Sequence, residues 1–388
     1  MSARITRLRL TPVSAARSGI TCGHVIVEIE TDVDGIVGLG EMSDFQHLPM
    51  YHPDVAELER TLGGILVGRD VARVNALNAD IEAAFPSAES LYDKASVIRC
   101  GIDIALWDLR AKLLDVSVQD LLGGRVRESL PIAYPIFRQQ APADVEANLE
   151  RVRTQLARGQ RRFRVYVGRD AALDRQFLER SREQFGDAVR FKSLDFSNLL
   201  DAHAAARFIE STRDIGYEFV EAPAAAGDLD GLRFVRDRTL VPVSEHALGP
   251  RSARDLVASG AVDILNVGLF ALGGITPALR ALALARASGV DALIGTTQEL
   301  AIGTAAAAHL GVCSAEVTQA SDPVGPLLYA RDVITEPLAY ANSALTPPTG
   351  IGLGVTLCPD RLAAARDPLS WGAGHLTSII DRTGAPSA

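Results

Sequence analysis

Several features that mark whole classes of protein are scarce or missing in this sequence of 388 residues. Cysteine occurs four times, at Cys22, Cys100, Cys313 and Cys358, with no CxxC spacing. This excludes a dense disulfide framework and favours reduced, partly buried thiols in a cytoplasmic protein. No run of about 20 apolar residues without charge is present, so we expect no membrane span. The first residues, MSARITRLRLTPV, alternate like a strand and lack the continuous apolar core of a signal peptide.

Basic residues are also in the minority. Lys and Arg number 39 against 48 Asp and Glu, which gives a formal net charge of −9 at pH 7. An acidic chain with no basic stripe, repeat array or heptad run argues against a nucleic-acid-binding or structural protein. A small anionic substrate remains compatible with this charge, because a bound cation reverses the local field.

The first 125 or so residues predict an α+β unit. Two strand-like runs, HVIVEIETD and GIVGLGEM, flank turn residues, and helical patterns follow at about 53–65, 70–84 and 92–114. The last pattern is apolar on more than one face, as expected for a buried helix.

From about residue 130, short β-branched runs alternate with Ala-, Leu- and Arg-rich helical stretches. The expected strands are LPIAYPI, FRVYVG, VRFKSLD, YEFVEA, LVPVSE, VDILNVG, DALIGTT and AEVTQA. Strands alternating with helices in this way predict parallel strands joined by right-handed crossovers, closed into a barrel over residues 126–325. An open doubly wound sheet is the alternative, weakened because no GxGxxG follows the first strand. Residues 326–388, punctuated by Pro and Gly, are expected to return to residues 1–125.

Three carboxylates end three successive strands of this barrel. Asp195 ends strand three, Glu221 ends strand four and Glu245 ends strand five. Each alone would be read as a surface carboxylate paired with Lys or Arg. Barrel chemistry lies at the C-terminal ends of the strands, where three adjacent carboxylates repel one another unless a cation lies among them. Ligands that are all oxygen favour Mg²⁺ over Zn²⁺.

Longer motifs follow one another along nearly the whole chain. They are GIVGLGE, GIDIALWDLRAKLLDVSVQDLLGG, YEFVEAP, VPVSEHALGP, SGAVDILNV, GGIT and IGTAAAAHL. In this order they resemble the mandelate racemase and muconate lactonizing enzyme family of the enolase superfamily. The resemblance implies a TIM-like (β/α)7β barrel with an α+β capping domain formed by residues 1–125 and 326–388.

The same resemblance carries expectations about the site. It implies that Asp195, Glu221 and Glu245 hold one Mg²⁺ per subunit, with Mn²⁺ as an alternative. In the family, the metal binds a substrate carboxylate and a base removes the proton on the adjacent carbon, which needs concentrated positive charge beside it. It also implies a homo-oligomer.

The acid/base positions depart from the family pattern. Where the family commonly has Lys-x-Lys on strand two, this sequence has Arg164 and Tyr166, two residues apart and therefore on one strand face. The strand-six position is Gly268 and the strand-seven position falls near Thr296, so neither usual base is present. Arg164 stays protonated and is suited to holding a carboxylate or an enolate.

Tyr166 is therefore the first candidate for proton transfer, with Arg164 as its electrostatic partner. A phenol is a poor base at its ordinary pKa near 10, and adjacent cations lower that pKa; the alternative is a tyrosine that only packs in the barrel mouth. Glu299 and His246 are further acid–base candidates, each with an ordinary structural alternative as a helix-terminal or packed residue. Lys192, three residues before a metal-ligand position, should point away by strand alternation.

The capping domain is expected to supply specificity through loops near residues 14–24 and 43–52, the usual substrate covers of the family. Within them we select Arg17, Phe45 and Tyr51 as substrate-binding candidates, together with Arg164 of the barrel.

Two classes of function fit these expectations. The first is a Mg²⁺-dependent enzyme that removes the proton beside a carboxylate of a small acid. Within it we prefer an acid-sugar-type dehydratase or a racemase/epimerase, because Glu245-His246 resembles the dehydratase pattern; a cycloisomerase of the muconate lactonizing type is the alternative, because Glu299 resembles that pattern. The second class is a catalytically silent relative that binds Mg²⁺ and a carboxylate ligand. Side chains of Arg164 and Tyr166 directed at the carboxylates would favour the enzyme.

Overall fold

The computed structural model describes residues 3–17, 20–43 and 54–366. The strands there are β1 Ile5–Arg17, β2 Ile20–Thr31, β3 Val37–Ser43, β4 Leu130–Pro131, β5 Tyr134–Ile136, β6 Arg162–Tyr166, β7 Arg190–Asp195, β8 Tyr217–Glu221, β9 Val243–His246, β10 Ile264–Val267, β11 Asp291–Ile294, β12 Ala339–Ala341 and β13 Ala344–Thr346. The helices are α1 Val55–Leu66, α2 Val74–Ala84, α3 Lys94–Leu113, α4 Val118–Leu121, α5 Pro142–Ala157, α6 Ala171–Phe185, α7 Ala202–Thr212, α8 Leu229–Thr239, α9 Pro250–Ala258, α10 Leu269–Leu272, α11 Ile275–Ser288, α12 Ala301–Cys313, α13 Gly325–Leu328 and α14 Pro359–Ala365. Among these helices none combines the length and the apolar character needed to cross a membrane.

The N-terminal unit is an antiparallel sheet, in the order β1-β2-β3, with helices against it. Helix α3 is buried nearly all round, as its apolar pattern predicted. It packs so closely on β3 that a β-carbon at Gly40 would lie 2.0 Å from the carbonyl oxygen of Gly101. The small residues of the GIVGLGE motif thus allow the helix to approach the sheet.

The second unit is a TIM-like barrel, confirming the expected fold class. Seven strands lie in the order β5 to β11, all parallel to their neighbours. The expected eighth strand, AEVTQA, is reduced to single parallel bridges that close the ring, Ala292 with Val317 and Ile132 with Ser321. A regular ladder does not form because the amide of Ile294 donates to the side-chain oxygen of Ser321 at 2.9 Å.

The expectation for Lys192 was wrong. Pairing between β6 and β7 runs from Phe163 with Phe191 directly to Arg164 with Ser193, so Lys192 is an extra residue on β7. Such a bulge breaks the alternation of faces on which the expectation rested. Lys192 is fully buried, with its ammonium nitrogen 5.2 Å from the ring centroid of Phe219, which lies two residues before Glu221 on the same strand. It therefore points into the barrel.

The C-terminal segment contacts both units. Strands β12 and β13 form a small antiparallel sheet with β4. The amide of Ala330 donates to the carbonyl of Ala16 at 3.1 Å, and Arg366 forms a single bridge with Val13 of β1. These contacts connect the end of the described chain to the N-terminal sheet.

A buried carboxylate joins the capping domain to the barrel. Glu41 of β3 accepts hydrogen bonds from the amides of Leu300 and Gly303, each at 2.8 Å, at the start of α12. Its Oε1 also lies 3.0 Å from Nδ1 of His24, and both side chains are fully buried. The first amides of a helix have no partner within the helix and carry partial positive charge. Glu41 supplies that partner from the other domain.

We expect Glu41→Ala to lower the free energy of unfolding by roughly 3 kcal/mol, because it leaves two buried amides and an imidazole nitrogen without an acceptor. Urea denaturation followed by circular dichroism measures this change. The matched control is Glu128→Ala, whose side chain is 88% exposed and whose loss should cost less than about 0.5 kcal/mol. Equal midpoints and slopes for the two variants would contradict the role of Glu41.

Candidate active site

The three predicted ligand positions lie side by side at one end of the barrel. In the register of the sheet, Asp195 pairs with Glu221, and Glu221 pairs with Ser244, so Glu245 lies one residue beyond that level. All three carboxylates are buried. The parallel sheet thus gathers them, because Asp195 and Glu221 end their strands and Glu245 lies one residue before the end of its strand, all at the same edge.

Each carboxylate has partners of its own. Glu221 Oε1 accepts from Asn266 Nδ2 at 3.1 Å and lies 3.2 Å from Nε2 of His246. Glu245 accepts from Asn198 Nδ2 at 2.9 Å and from the amide of His246 at 2.8 Å. Asp195 Oδ1 accepts from the amide and the hydroxyl of Ser197, each at 2.8 Å. The partners come from neighbouring strands and from the loops that follow them.

The electrostatic environment differs among the four titrating groups. Burial raises the pKa of Asp195, and the Glu221 carboxylate raises it further; burial likewise raises the pKa of Glu245. Burial also acts to raise the pKa of Glu221, but the His246 hydrogen bond and the charge of Arg164 outweigh it and hold that pKa below its usual range. Burial lowers the pKa of His246, yet the hydrogen bond to Glu221 and the surrounding carboxylates together raise it to about 9. Two of the carboxylates therefore lie where their ionised form is disfavoured.

The donor chemistry of the cluster fits a hard divalent cation. Glu221 Oε2 is buried without a hydrogen-bond partner in the described part of the chain, an uncommon state for a carboxylate oxygen. With Asp195 and Glu245 it offers the oxygen ligands that Mg²⁺ prefers. Among the described residues no three Asp, Glu, His or Cys side chains already meet in a metal-holding arrangement. Oε2 of Glu221 is available to a cation while Oε1 keeps its contact with His246, whereas both oxygens of Glu245 already accept hydrogen bonds.

Arg164 and Tyr166 both face this cluster. Arg164 Nη2 donates to the Tyr166 hydroxyl at 2.6 Å, and Arg164 Nη1 lies 3.9 Å from Oε1 of Glu221. The Tyr166 ring stacks on Phe137, with ring centroids 5.7 Å apart. Burial raises the pKa of Tyr166, and Arg164 only partly opposes it. The structure therefore holds Tyr166 as a neutral phenol that accepts a hydrogen bond from Arg164, rather than as a phenolate.

The remaining expected residues lie at different distances from the carboxylates. Arg17 is buried on β1, with its guanidinium carbon 5.9 Å from the ring centroid of Phe137, one ring away from Tyr166. Glu299 is buried on its own turn, where it accepts from the amide of Thr297 at 2.7 Å and from the hydroxyl of Thr296.

Burial raises the pKa of Glu299. In the described part of the chain no hydrogen bond or ion pair joins it to the three carboxylates. Gly268 begins α10 and offers no acid or base. Phe45 and Tyr51 lie outside the described residues.

The sequence interpretation missed Asp322, which contacts two buried cations, Lys192 and Arg164. Its carboxylate lies 2.7 Å from Nζ of Lys192 and 3.3 Å from Nη1 of Arg164. The sequence could have revealed this residue, because Asp322 lies just after the eighth expected strand, much as Asp195 lies at the end of the third. Asn266, two residues before Gly268 on strand six, was missed as well.

Family models match both halves of the chain. The model of the mandelate racemase / muconate lactonizing enzyme N-terminal domain matches residues 2–123, and that of the enolase C-terminal domain-like family matches residues 147–361. The chain belongs to the mandelate racemase / muconate lactonizing enzyme family of the enolase superfamily. The order of motifs and the (β/α)7β fold, expected from the resemblance, are confirmed.

Similar proteins include enzymes with different reactions. Chloromuconate cycloisomerase of Pseudomonas putida is 29% identical over 347 residues, covering 87% of this chain and 90% of that protein. L-Ala-D/L-Glu epimerase of Bacillus subtilis (strain 168) is 29% identical over 349 residues, covering 88% and 91%. The crystal structure of muconate cycloisomerase from Pseudomonas fluorescens superposes with a TM-score of 0.84 at 25% identity, covering 94% of this chain and 99% of that one. The chain is accordingly an enzyme of the isomerase or lyase type found in this superfamily.

We expect Asp195→Asn, Glu221→Gln and Glu245→Gln each to weaken Mg²⁺ binding at least about 10-fold, because each removes a negatively charged oxygen ligand. Isothermal titration calorimetry of the folded variants measures the affinity. Asp237→Asn is the matched control, since that side chain is 77% exposed on α8 and should keep the wild-type affinity. Unchanged affinity in any one of the three variants would remove that residue from the ligand set.

Proposed function

We propose that this enzyme binds one Mg²⁺, with Mn²⁺ as an alternative, through Asp195, Glu221 and Glu245, and that it enolises a small carboxylic acid. The observation that supports this most directly is the buried Glu221 Oε2, without a partner in the described residues, between two carboxylates whose ionised form is disfavoured. A bound Mg²⁺ would supply the positive charge that an enolate dianion needs.

The chain's own residues would handle the anion and the proton. Arg164 is buried, permanently charged and 3.9 Å from Glu221, so it is suited to holding an anionic oxygen of the substrate or of the enolate. Tyr166 would transfer the proton at its hydroxyl oxygen. Because burial favours the phenol, its resting form is a proton donor, and it becomes a base only when added positive charge offsets that burial.

A second candidate for proton transfer, His246, lies on another strand of the barrel. Tyr166 ends β6 beside Asp195, whereas His246 ends β9 beside Glu245. Two separate groups, one on β6 and one on β9, suit a reaction that removes a proton and returns one, or that protonates a leaving group. We therefore keep racemisation or epimerisation and acid-sugar-type dehydration as the proposed reactions.

Cycloisomerisation is the second candidate. Similar proteins carry that activity by name, and Glu299 occupies the turn after strand seven. The absence of a lysine at Arg164, Tyr166 and Gly268 departs from the family's usual bases for either reaction, so it does not separate the two candidates. The catalytically silent relative is disfavoured by the orientation of Arg164 toward Glu221 and by its hydrogen bond to Tyr166.

Deuterium exchange tests this proposal. The Mg²⁺-loaded enzyme is incubated in D₂O with sugar acids, aromatic hydroxy acids, an Ala–Glu dipeptide and muconolactone, and mass spectrometry reads the substrate. We expect exchange of one hydrogen, slowed roughly 10²- to 10⁴-fold in Tyr166→Phe, which is the range that a proton-transfer residue contributes.

The matched control is Tyr217→Phe, which removes the same hydroxyl from a tyrosine bonded to the carbonyl of Ile209, away from the carboxylates. Full exchange in Tyr166→Phe would assign proton transfer to His246 or Glu299 instead. Opening or closure of the lactone ring, with deuterium entering from solvent at the carbon beside the carboxylate, would favour the cycloisomerase. Mg²⁺-dependent binding of an acid without exchange or turnover would favour the silent relative.

A further inference from the structure

A single buried carboxylate is shared by two buried cations beside the proposed site. Lys192 Nζ bonds both oxygens of Asp322, at 2.7 and 2.8 Å, and Arg164 Nη1 lies 3.3 Å from Oδ2 of the same group. The exposed fractions of the three side chains are 0%, 0% and 3%. Solvent therefore does little to screen these charges, and the position of each side chain depends on its attraction to the other two or its repulsion from them.

Three separate segments of the chain bring this cluster together. The bulge in β7 turns Lys192 inward. Asp322 follows the bridge at Ser321 that closes the barrel, and its amide donates to the carbonyl of Ile294 at 2.9 Å, which fixes its backbone. Arg164 comes from β6, next to β7. The cluster thus joins two barrel strands to the segment that follows the closing bridge.

The guanidinium of Arg164 has three competing acceptors. They are the hydroxyl of Tyr166 at 2.6 Å, Asp322 at 3.3 Å and Glu221 at 3.9 Å. A buried guanidinium beside a carboxylate ordinarily forms a bidentate pair with it. Lys192 bonds both oxygens of Asp322, and Arg164 Nη1 lies 3.3 Å from Oδ2, so the two cations compete for this carboxylate. Arg164 therefore keeps its short bond to Tyr166.

We propose that Lys192 is a positioning residue which, by competing for Asp322, keeps the Arg164 guanidinium on the Tyr166 hydroxyl and leaves a buried donor of Arg164 for a substrate oxygen. That donor is Arg164 Nε, which has no hydrogen-bond partner in the described residues. Lys192 acts through Asp322 and not on the substrate, since its ammonium is engaged by both carboxylate oxygens. The role of Arg164 toward a substrate rests on the proposed function, but the positions of these side chains can be tested without any substrate.

The decisive variant is Lys192→Met, which keeps the length of the side chain and removes its charge. Asp322 is then free to draw Arg164 into a bidentate pair, and the bond to Tyr166 breaks. The double variant Lys192→Met/Asp322→Asn removes the attraction as well, so Arg164 returns to Tyr166. We expect the loss in the single variant to be largely reversed in the double variant, which is the non-additivity of residues in one network.

The first readout is the ¹³Cζ resonance of Tyr166 in tyrosine-labelled protein without substrate, assigned by its absence in Tyr166→Phe. We expect the resonance to move in Lys192→Met. In the double variant, we expect its remaining displacement from the wild-type position to be at most half as large. Lys112→Met is the matched control, because Lys112 forms a comparable pair with Asp108 at 2.6 Å on α3. It should leave the Tyr166 resonance in place.

The second readout is catalytic. With an acid that the wild-type enzyme exchanges, we expect Lys192→Met to lower the exchange rate roughly 10- to 100-fold, the scale of a misplaced group, with Mg²⁺ affinity unchanged within about two-fold. The double variant should recover most of that rate.

An unmoved Tyr166 resonance in Lys192→Met overturns the proposal. So does a double variant in which the displacement of the resonance equals the sum of the displacements in the two single variants. If Lys192→Met does not fold, Lys192→Gln takes its place, and an unmoved Tyr166 resonance in that variant overturns the proposal. A resonance that moves as expected, with no acid exchanged by the wild-type enzyme, would sustain the positioning of Arg164 and reject the proposed function.

Discussion

Four buried carboxylates at one end of a parallel barrel impose the main constraint on this molecule. Burying an ion costs several kcal/mol unless a partner of opposite charge and suitable hydrogen bonds accompany it. The barrel meets the requirement with its own cations and amides, and the same groups then form the site. They are Arg164, Lys192, His246, Asn198 and Asn266 around Asp195, Glu221, Glu245 and Asp322. The groups that compensate the buried charges are therefore also the groups of the proposed site.

The capping domain takes part through a different buried carboxylate. Glu41 satisfies the first amides of α12 from across the domain boundary, and Asp332 of the C-terminal segment accepts from the amide of Ala301 at 2.9 Å. Helix α12 begins directly after the turn that carries Glu299. Two distant parts of the chain thus fix the start of this helix, and with it the acidic turn after strand seven. The position of Glu299 therefore depends on the position of the capping domain.

The sequence predicted what depends on local pattern and missed what depends on pairing between strands. Strand-end positions of Asp195, Glu221 and Glu245 follow from hydrophobic period and chain order, so they were found. Lys192 was misplaced because a bulge is a property of two paired strands, and the residues of β7 alone do not show it. Asp322 was overlooked because its partners, Lys192 and Arg164, come from other strands, which the local pattern does not show. The pKa direction of Tyr166 needed burial, which local sequence does not report.

The three proposed ligands are consequently not equivalent. Glu245 is bonded to Asn198 and to the amide that follows it, both neutral donors, so loss of its charge is felt mainly at the metal site. Glu221 instead contacts His246 and lies beside Arg164, the two cationic groups assigned to proton transfer and anion binding. Any change in charge at Glu221 reaches both groups directly, because a buried ion pair depends on each partner. The metal binding and the proton transfer that we propose would therefore be coupled through Glu221 more than through either neighbour.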